Sequence, residues 1–333
     1  WMRRSRVWLR KAVLAAACSG RLTEDWRESA PSVLPGSNPI AAIRSSRAQL
    51  FASRGARHYV EPSPVDAGDL YDLPLSWSWA RIEEVCDFVT KGTTPRGEAM
   101  KAIGDVPYIK IQHLSFDGRL RFDPPVFIDR RTHESGPMRR SRVIPGDVLI
   151  NIVGPPLGQA AMVPIAHPEW NTNQAIAILR PVEGYLSEFL LIVALCPSIL
   201  DWAISRSKAT VGQHNLTLEL VRDLPIPVPP LVEQAEIVRR VEALFALADA
   251  IEARVRAATA RADRLPQAIL SKAFKGELVP TEAELARAEG RTYETAGEML
   301  VRVKAGADDA VKSAGRGRSR RRSTASGGRH RGS

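Results

Sequence analysis

The side chains best suited to chemistry in this sequence are arginines. Arg130, Arg131, Arg139, Arg140 and Arg142 crowd into one short stretch that also holds Gly136 and Pro137, a loop-like composition. A planar guanidinium can pair with two acceptors at once, on a guanine edge or on phosphate oxygens. The plainer reading, a solvated surface loop, carries equal weight on charge density alone. Lys91, Thr93, Thr94 and Arg96 make a second loop of the same kind. Lys110, Gln112 and His113 lie in or beside an apolar alternation, so one strand face could present polar groups. For His113 local satisfaction is the stronger expectation, since a lone histidine at a strand end usually bonds its neighbours. Gln213, His214 and Asn215 form a further polar cluster ahead of a proline-rich segment.

Arrangements that would catalyse are weaker. Asp123-Pro124-Pro125-Val126 has the outline of a D-P-P-aromatic adenine methyltransferase motif, but Val126 has no ring to stack on a flipped base. Gly92 and Gly97 have P-loop spacing, but Glu98 and Ala99 stand where Lys and Ser/Thr would be needed, and an acid repels phosphate. With no glycine-rich loop after a strand, a non-catalytic chain without cofactor or metal is expected. Cys18, Cys86 and Cys196 are scattered without metal or disulfide spacing, which fits a reducing, cytoplasmic setting. No apolar run approaches the ~18 residues of a membrane span. Arg3-Arg4-Ser5-Arg6 ahead of Ala15-Ala16-Ala17-Cys18 mimics an export signal, but Arg10 and Lys11 interrupt its apolar part.

These candidates need elements to hold them. Val106–His113, Val148–Val153 and residues 174–179 read as strands, the second fully buried. Residues 185–207 read as helix broken at Pro197. The region 73–228 is therefore expected as an α+β domain with a mixed sheet. Residues 224–228 form a last short strand, and Pro229-Pro230 stop it and open a long helix. From there one apolar ladder runs Ile237, Val241, Leu244, Ala248, Ile251, Val255, Ala258, Ala262, Leu265. Steps of four and three alternate, the seam of a coiled coil over about four heptads. A rod over residues 231–264 would be roughly 50 Å long. Such a stripe requires a partner helix, from a missing half or another copy. Ile237, Val241, Leu244, Ala248, Ile251, Val255, Ala258 and Leu265 are its expected contacts.

Two stretches repeat. Residues 9–22 (LRKAVLAAACSGRL) match residues 265–278 (LPQAILSKAFKGEL) at one constant offset, with Leu9/Leu265, Ala12/Ala268, Leu14/Leu270, Ala17/Ala273, Gly20/Gly276 and Leu22/Leu278 identical. The spacing suggests a duplicated domain-plus-helix unit. Residues 1–26 then read as the remnant of a preceding helical region, and the chain as part of a longer protein or of a truncated gene. Each copy should be a helix stopped by its glycine.

The run Gly212-Gln213-x-Asn215-Leu216, then L-P-I-P-x-P-P-L-x-E-Q-x-x-I over residues 224–237, then A-I-L-x-K-A-F-x-G-E-L-V-P over residues 268–280, resembles the specificity subunit of Type I restriction-modification systems. Residues 73–98 resemble the opening of that family's target recognition domain, and residues 143–154 and 173–181 its central strands. The resemblance implies two such domains alternating with two antiparallel long helices. Each domain would read half of a split site in double-stranded DNA. The helices would act as spacer and dock methyltransferase subunits, and through them a restriction subunit. Methyl transfer, cofactor use and cleavage would belong to those partners. The first domain and first long helix of that pattern are absent here. A coiled-coil interaction module that reads no DNA remains the other reading.

The net charge of +10 is unevenly placed. Residues 312–333 hold eight Lys/Arg and no acid, leaving +2 (10 − 8) elsewhere. This tail is expected to be disordered and at most to add sequence-blind affinity for DNA. The remaining plan is a connector over residues 27–72 with at most one short helix near 40–51, the long helix and its cap over 229–280, and a helical extension over 281–311.

Overall fold

The computed structural model describes residues 2–29, 38–53, 62–66, 68, 70–210 and 213–308. The basic tail over 312–333 and Gly212 lie outside them. The fold is α+β, with antiparallel and mixed sheets followed by a long helix. The chain divides into two units, Trp1–Glu252 and Ala253–Ser333.

The centre of the first unit is an antiparallel sheet in the order Cys86–Lys91, Ile176–Pro181, Val148–Asn151, Ala160–Met162. In its middle strands Val148–Asn151 and residues 176–179 are buried because both faces are covered. The period-2 alternation of a strand sorts their side chains between two cores. Val148, Ile150, Ala177 and Leu179 enter the larger one, with the helices Ser187–Ala194 and Pro197–Arg206. Leu149, Ile176 and Ile178 enter the other, with Ile109, Val143 and Trp170. Those three come from a second sheet, ordered Phe127–Ile128, Val106–Ile109, Trp170–Thr172, Arg142–Val143, in which Val106–Ile109 and Trp170–Thr172 run parallel. Ser78–Arg81 pairs with Pro225–Val228 and closes the domain's two ends against each other.

The strand expected to be buried over 148–153 ends at Asn151, and the exposed Val153 pairs in a separate sheet. Three other expected boundaries shift for local reasons. The strand expected over 106–113 ends at Ile109, because the His113 ring accepts the Lys110 N–H (3.1 Å) and turns the chain into a 3-10 helix, Ile111–His113. The strand expected from 174 begins at Ile176, because Asn173 folds a turn whose side chain accepts the Ala175 N–H (3.2 Å). The long helix runs Leu231–Phe274 and continues through Pro266 rather than stopping at 264. The carbonyl of Ala262, which loses its intrahelical donor there, sits on an exposed stretch where water can satisfy it. The break at Pro197 is as expected, with separate helices on either side.

The first part of the seam finds its partner within the chain. The N-terminal helix Met2–Cys18 ends at Gly20, whose φ of 78° is the left-handed conformation that stops helices. It buries Val13, Leu14, Ala17 and Cys18 in the larger core beside Ile237 and Val241. Arg10 bonds Asp249 (2.9 Å) and stacks over Phe245, while Arg240 donates to the Leu22 carbonyl (2.8 Å). Contacts at 10/249 and 22/240 show that the two helices run antiparallel. Further along, Leu244 is 37% exposed and Ile251 52%. The segment expected to be a mere connector is docked too. Its helix Pro39–Ser53 buries Ile40 and Ile43, and Arg44 bonds the buried Glu84 (2.6 Å).

In the second unit, Gly276 has φ 74°, matching Gly20 in the other repeat. The helix Glu282–Glu289 follows, opened by a Thr281/Glu284 capping box, and another helix covers residues 296–308.

Glu233 joins these pieces. It is fully buried and accepts from Thr23 Oγ1 (2.7 Å), Arg27 (2.5 Å) and Trp77 Nε1 (2.8 Å). Its neighbour Gln234 is also fully buried, accepts from the Leu186 N–H (2.8 Å) and donates to the carbonyls of Gly184 and Pro229. Glu233→Leu leaves the Arg27 charge unpaired and is expected to cost on the order of 3–5 kcal/mol, against roughly 1–3 kcal/mol for the unmet donor left by Gln234→Ala. Denaturant unfolding of the full chain measures both. Ile251→Asp, on the exposed seam, should leave the same transition within about 0.5 kcal/mol.

Candidate nucleic-acid interface

The stretch 130–142 is not a loop. Asp129 caps a short helix, Arg130–Glu134, by accepting the Thr132 N–H (2.6 Å). A second helical turn, Gly136–Arg139, follows, and Arg142 opens the strand Arg142–Val143. The charge runs hid this structure, because its buried positions are the intervening His133, Met138, Ser141 and Val143. Arg131, Arg139 and Arg140 are exposed. Arg130 bonds Glu169 (2.9 Å). Arg142 is half-buried, and its buried Nε has no partner among the described residues.

The segment is held from beneath by the side chain of Asn171, on the strand Trp170–Thr172. Asn171 is fully buried and uses both ends of its amide. Its Oδ1 accepts from Ser141 Oγ and from the Thr172 N–H, both at 2.9 Å. Its Nδ2 donates to the Met138 carbonyl and to His133 Nδ1, both at 3.1 Å. His133 Nδ1 is therefore the acceptor, so Nε2 carries the proton and donates to Glu169 (2.9 Å). Burial holds the His133 ring below the ordinary histidine range, with Arg142 and Arg130 pushing the same way and Glu169 opposing.

The second basic loop meets the first. Thr93 donates through Oγ1 to the Pro137 carbonyl (3.1 Å) and through its N–H to the Thr172 carbonyl (2.9 Å), and Tyr108 donates to the Thr93 carbonyl (2.9 Å). Lys91 and Arg96 are exposed on either side. Gly92 makes this approach possible: a Cβ there would lie 2.0 Å from the Asn173 carbonyl oxygen. Lys110 is half-buried and Gln112 exposed on the turn after Val106–Ile109, the parallel neighbour of the Asn171 strand. His113 is fully buried and satisfied locally, bonding the Pro124 carbonyl (3.1 Å), and burial lowers its pKa. Asn215 lies exposed on the strand Gln213–Asn215, beside Val153–Gly154, while His214 bonds Ser207 (2.7 Å). The Gln213 side chain lies outside the described atoms. No hydrogen bond among the described residues joins this strand to residues 130–142. Two of the basic clusters are thus brought together, and the 213–215 cluster is separate.

Asn171, His133 and Glu169 escaped sequence reasoning. Trp-Asn-Thr reads as a plain strand end, and only the tertiary approach of residues 133–141 gives the amide its task. No group of three or more His, Cys, Asp or Glu among the described residues is placed to hold a metal ion.

Comparison with known proteins bears on this geometry. A family model described as the Type I restriction modification DNA specificity domain matches residues 74–258, more than half of the chain. The chain belongs to that family. The match takes in the sheets, the basic segment and the first part of the long helix. The Escherichia coli Type I restriction enzyme EcoDI specificity subunit is 29% identical over 81% of this chain and 53% of its own length. The Escherichia coli EcoBI specificity subunit is 40% identical over 42% of this chain and 29% of its own length. The chain spans about half the length of the first of these relatives. Among solved structures, a chain from a complex of the type I R-M system aligns with TM-score 0.50 at 24% identity, over 72% of this chain and 56% of that one, which shows a shared fold.

Two outcomes are expected. Gly92→Ala forces the loop off the Asn173 carbonyl and should cost about 1–3 kcal/mol, read by thermal unfolding. His113 and His133 bind protons less readily folded than unfolded. The unfolded chain takes up the extra protons as pH falls through about 6.5, so stability is fully present above that value and declines below it. Unfolding midpoints between about pH 7.5 and 5.5 should fall accordingly.

Proposed function

We propose that this chain is a DNA sequence-recognition subunit of a Type I restriction-modification complex. Its domain over residues 73–228 reads one half of a bipartite site in double-stranded DNA. Its long helix docks methyltransferase subunits, which carry the chemistry and link to a restriction subunit. The chain itself catalyses nothing. The observation that carries this reading is the family match over residues 74–258, which includes both the domain and the helix root.

Within the domain, the reading surface is the pair of joined basic segments. Arg131, Arg139 and Arg140, with Lys91 and Arg96, are exposed cations on a framework held by the Thr93–Pro137 bond and the buried Asn171–Met138 bond. Forked guanidiniums held this way can discriminate bases, each bidentate pair contributing roughly 1–3 kcal/mol. Lys110 and Gln112, on the turn after the parallel neighbour of the Asn171 strand, add contacts, and Asn215 offers a separate one from the strand Gln213–Asn215. Arg130 and Arg142 serve the framework more than the ligand, given the Glu169 bond of one and the partial burial of the other.

Competition between random duplexes, with a methyltransferase partner present, tests the reading. Changing Arg131, Arg139 and Arg140 to Ala should abolish preference among sequences. Deleting residues 312–333 should weaken binding to all DNA alike, with a shallower salt dependence and the same preferred sequence. A tail deletion that changes the preferred sequence, or a triple-Ala chain that selects as strongly as before, places the reading surface elsewhere. Partner binding without any sequence preference favours the interaction module instead.

A further inference from the structure

The exposed arginines of residues 130–142 sit on two short helical turns that could not hold a position by themselves, since isolated helices shorter than ~12–15 residues are marginal in water. Their common anchor is a chain of four hydrogen bonds: Arg130 to Glu169, Glu169 to His133, His133 to Asn171, and Asn171 to the Met138 carbonyl. Ser141 closes it, its single hydroxyl hydrogen shared between Asn171 Oδ1 and the Met138 carbonyl, each 2.9 Å from Oγ. Every polar atom of the Asn171 amide is used, and its orientation is set on the other side by the Thr172 N–H.

Resting on the DNA-reading proposal above, we infer that His133 and Asn171 are positioning residues for sequence discrimination, and that the segment reads DNA only while the His133 ring is neutral. The chemistry is a conflict of donors. A proton on His133 Nδ1 would meet the Asn171 Nδ2–H donor head on. Rotating the amide would present Oδ1 to the ring, but would then set Oδ1 against the Met138 carbonyl and Nδ2 against the Thr172 N–H. Two good contacts become repulsive, so protonation releases the turn that bears Arg139 and Arg140. The charged groups facing the ring are Glu169, which favours the proton, and Arg142 and Arg130, which oppose it. Burial adds to the opposition. Arginines freed from the anchor keep their charge, so affinity for phosphates survives while register on the bases is lost.

The test uses the full chain and a duplex enriched from a random pool at about pH 8, well above the ordinary histidine pKa. The readout is discrimination, the ratio of affinities for the enriched duplex and for random duplex. In the wild type it should fall as pH is lowered from 8 to the lowest value at which the chain stays folded, toward a loss of about ten-fold, that of one bidentate contact, once the ring is charged, while random-duplex affinity does not fall. His133→Asn offers an uncharged amide oxygen where Nδ1 accepted, and should make discrimination insensitive to pH over that range. Asn171→Asp turns the donor into an acceptor that welcomes the proton, and should lose discrimination already at pH 8. Circular dichroism at both pH values establishes that each variant is folded. Discrimination that stays flat in the wild type, or a His133→Asn chain with the wild-type pH dependence, overturns the inference. A pool that never enriches at pH 8 overturns the DNA-reading proposal instead, and the inference with it.

Discussion

The buried carboxylate of Glu233 is the constraint on which the arrangement of the first unit depends. A charge taken fully out of water must be met by donors or it destabilises the fold by several kcal/mol. Three donors meet it here, from Thr23 and Arg27 after the N-terminal helix and from Trp77 at the entry to the domain. Its neighbour Gln234 then holds the Gly184–Leu186 turn and the Pro229 carbonyl. Two consecutive side chains at the start of one helix thus set where a second helix, the domain's first strand and the domain's helical layer sit. Hydrophobic burial around Ile237 and Val241 supplies non-directional stabilisation. The polar pair supplies geometry, because a carboxylate with three donors tolerates little sliding along the seam.

The same division recurs at the basic segment. Apolar contacts of Met138, Ile128 and Tyr108 cover its underside, while the Asn171 amide decides its position. Arg130, paired with Glu169, belongs to the support, and Arg131, Arg139 and Arg140 are left exposed. An arginine already committed to a carboxylate has fewer free donors for a base edge or phosphate. Five similar arginines in sequence therefore separate into structural and available ones only through their neighbours. The antiparallel helix pair shows a comparable separation along its length. Near Glu233 the seam is buried by the chain's own N-terminal helix, whereas Ile251 and Val255 are 52% and 39% exposed. A seam of unbroken heptad character thus has one stretch satisfied internally and another whose apolar surface suits a second helix.

Patterns that serve folding were legible in the sequence. The heptad steps located the long helix, Pro197 located the break between two helices, and the repeated glycines located Gly20 and Gly276, because each reflects a local rule of backbone or periodicity. The strand boundaries at Ile109 and Ile176 were missed because His113 and Asn173 draw backbone N–H groups into turns, a competition that alternation does not reveal. Cys18 and Cys196 lie 178 positions apart in sequence, yet both are buried in one core, where the Cys196 thiol donates to the Leu14 carbonyl of the N-terminal helix (3.9 Å). No spacing rule could join them, since the fold alone brings the N-terminal helix to that place.

The candidate site was half legible for a related reason. Its exposed cations stand out by density, because nothing in the core restrains them and they accumulate where charge is tolerated. Its supports do not stand out, because Asn171 and His133 occupy positions that strand and helix propensity would leave unremarked. A recognition surface must vary to meet different ligands, while the buried bonds beneath it need only keep their donors and acceptors matched. Residue types on the surface consequently indicate what class of ligand they suit, and guanidiniums suit an anion with forked acceptors. On the reading proposed above, selectivity depends on how far each guanidinium can stray from its place, and the four hydrogen bonds that limit this join residues 130–142 to residues 169–172.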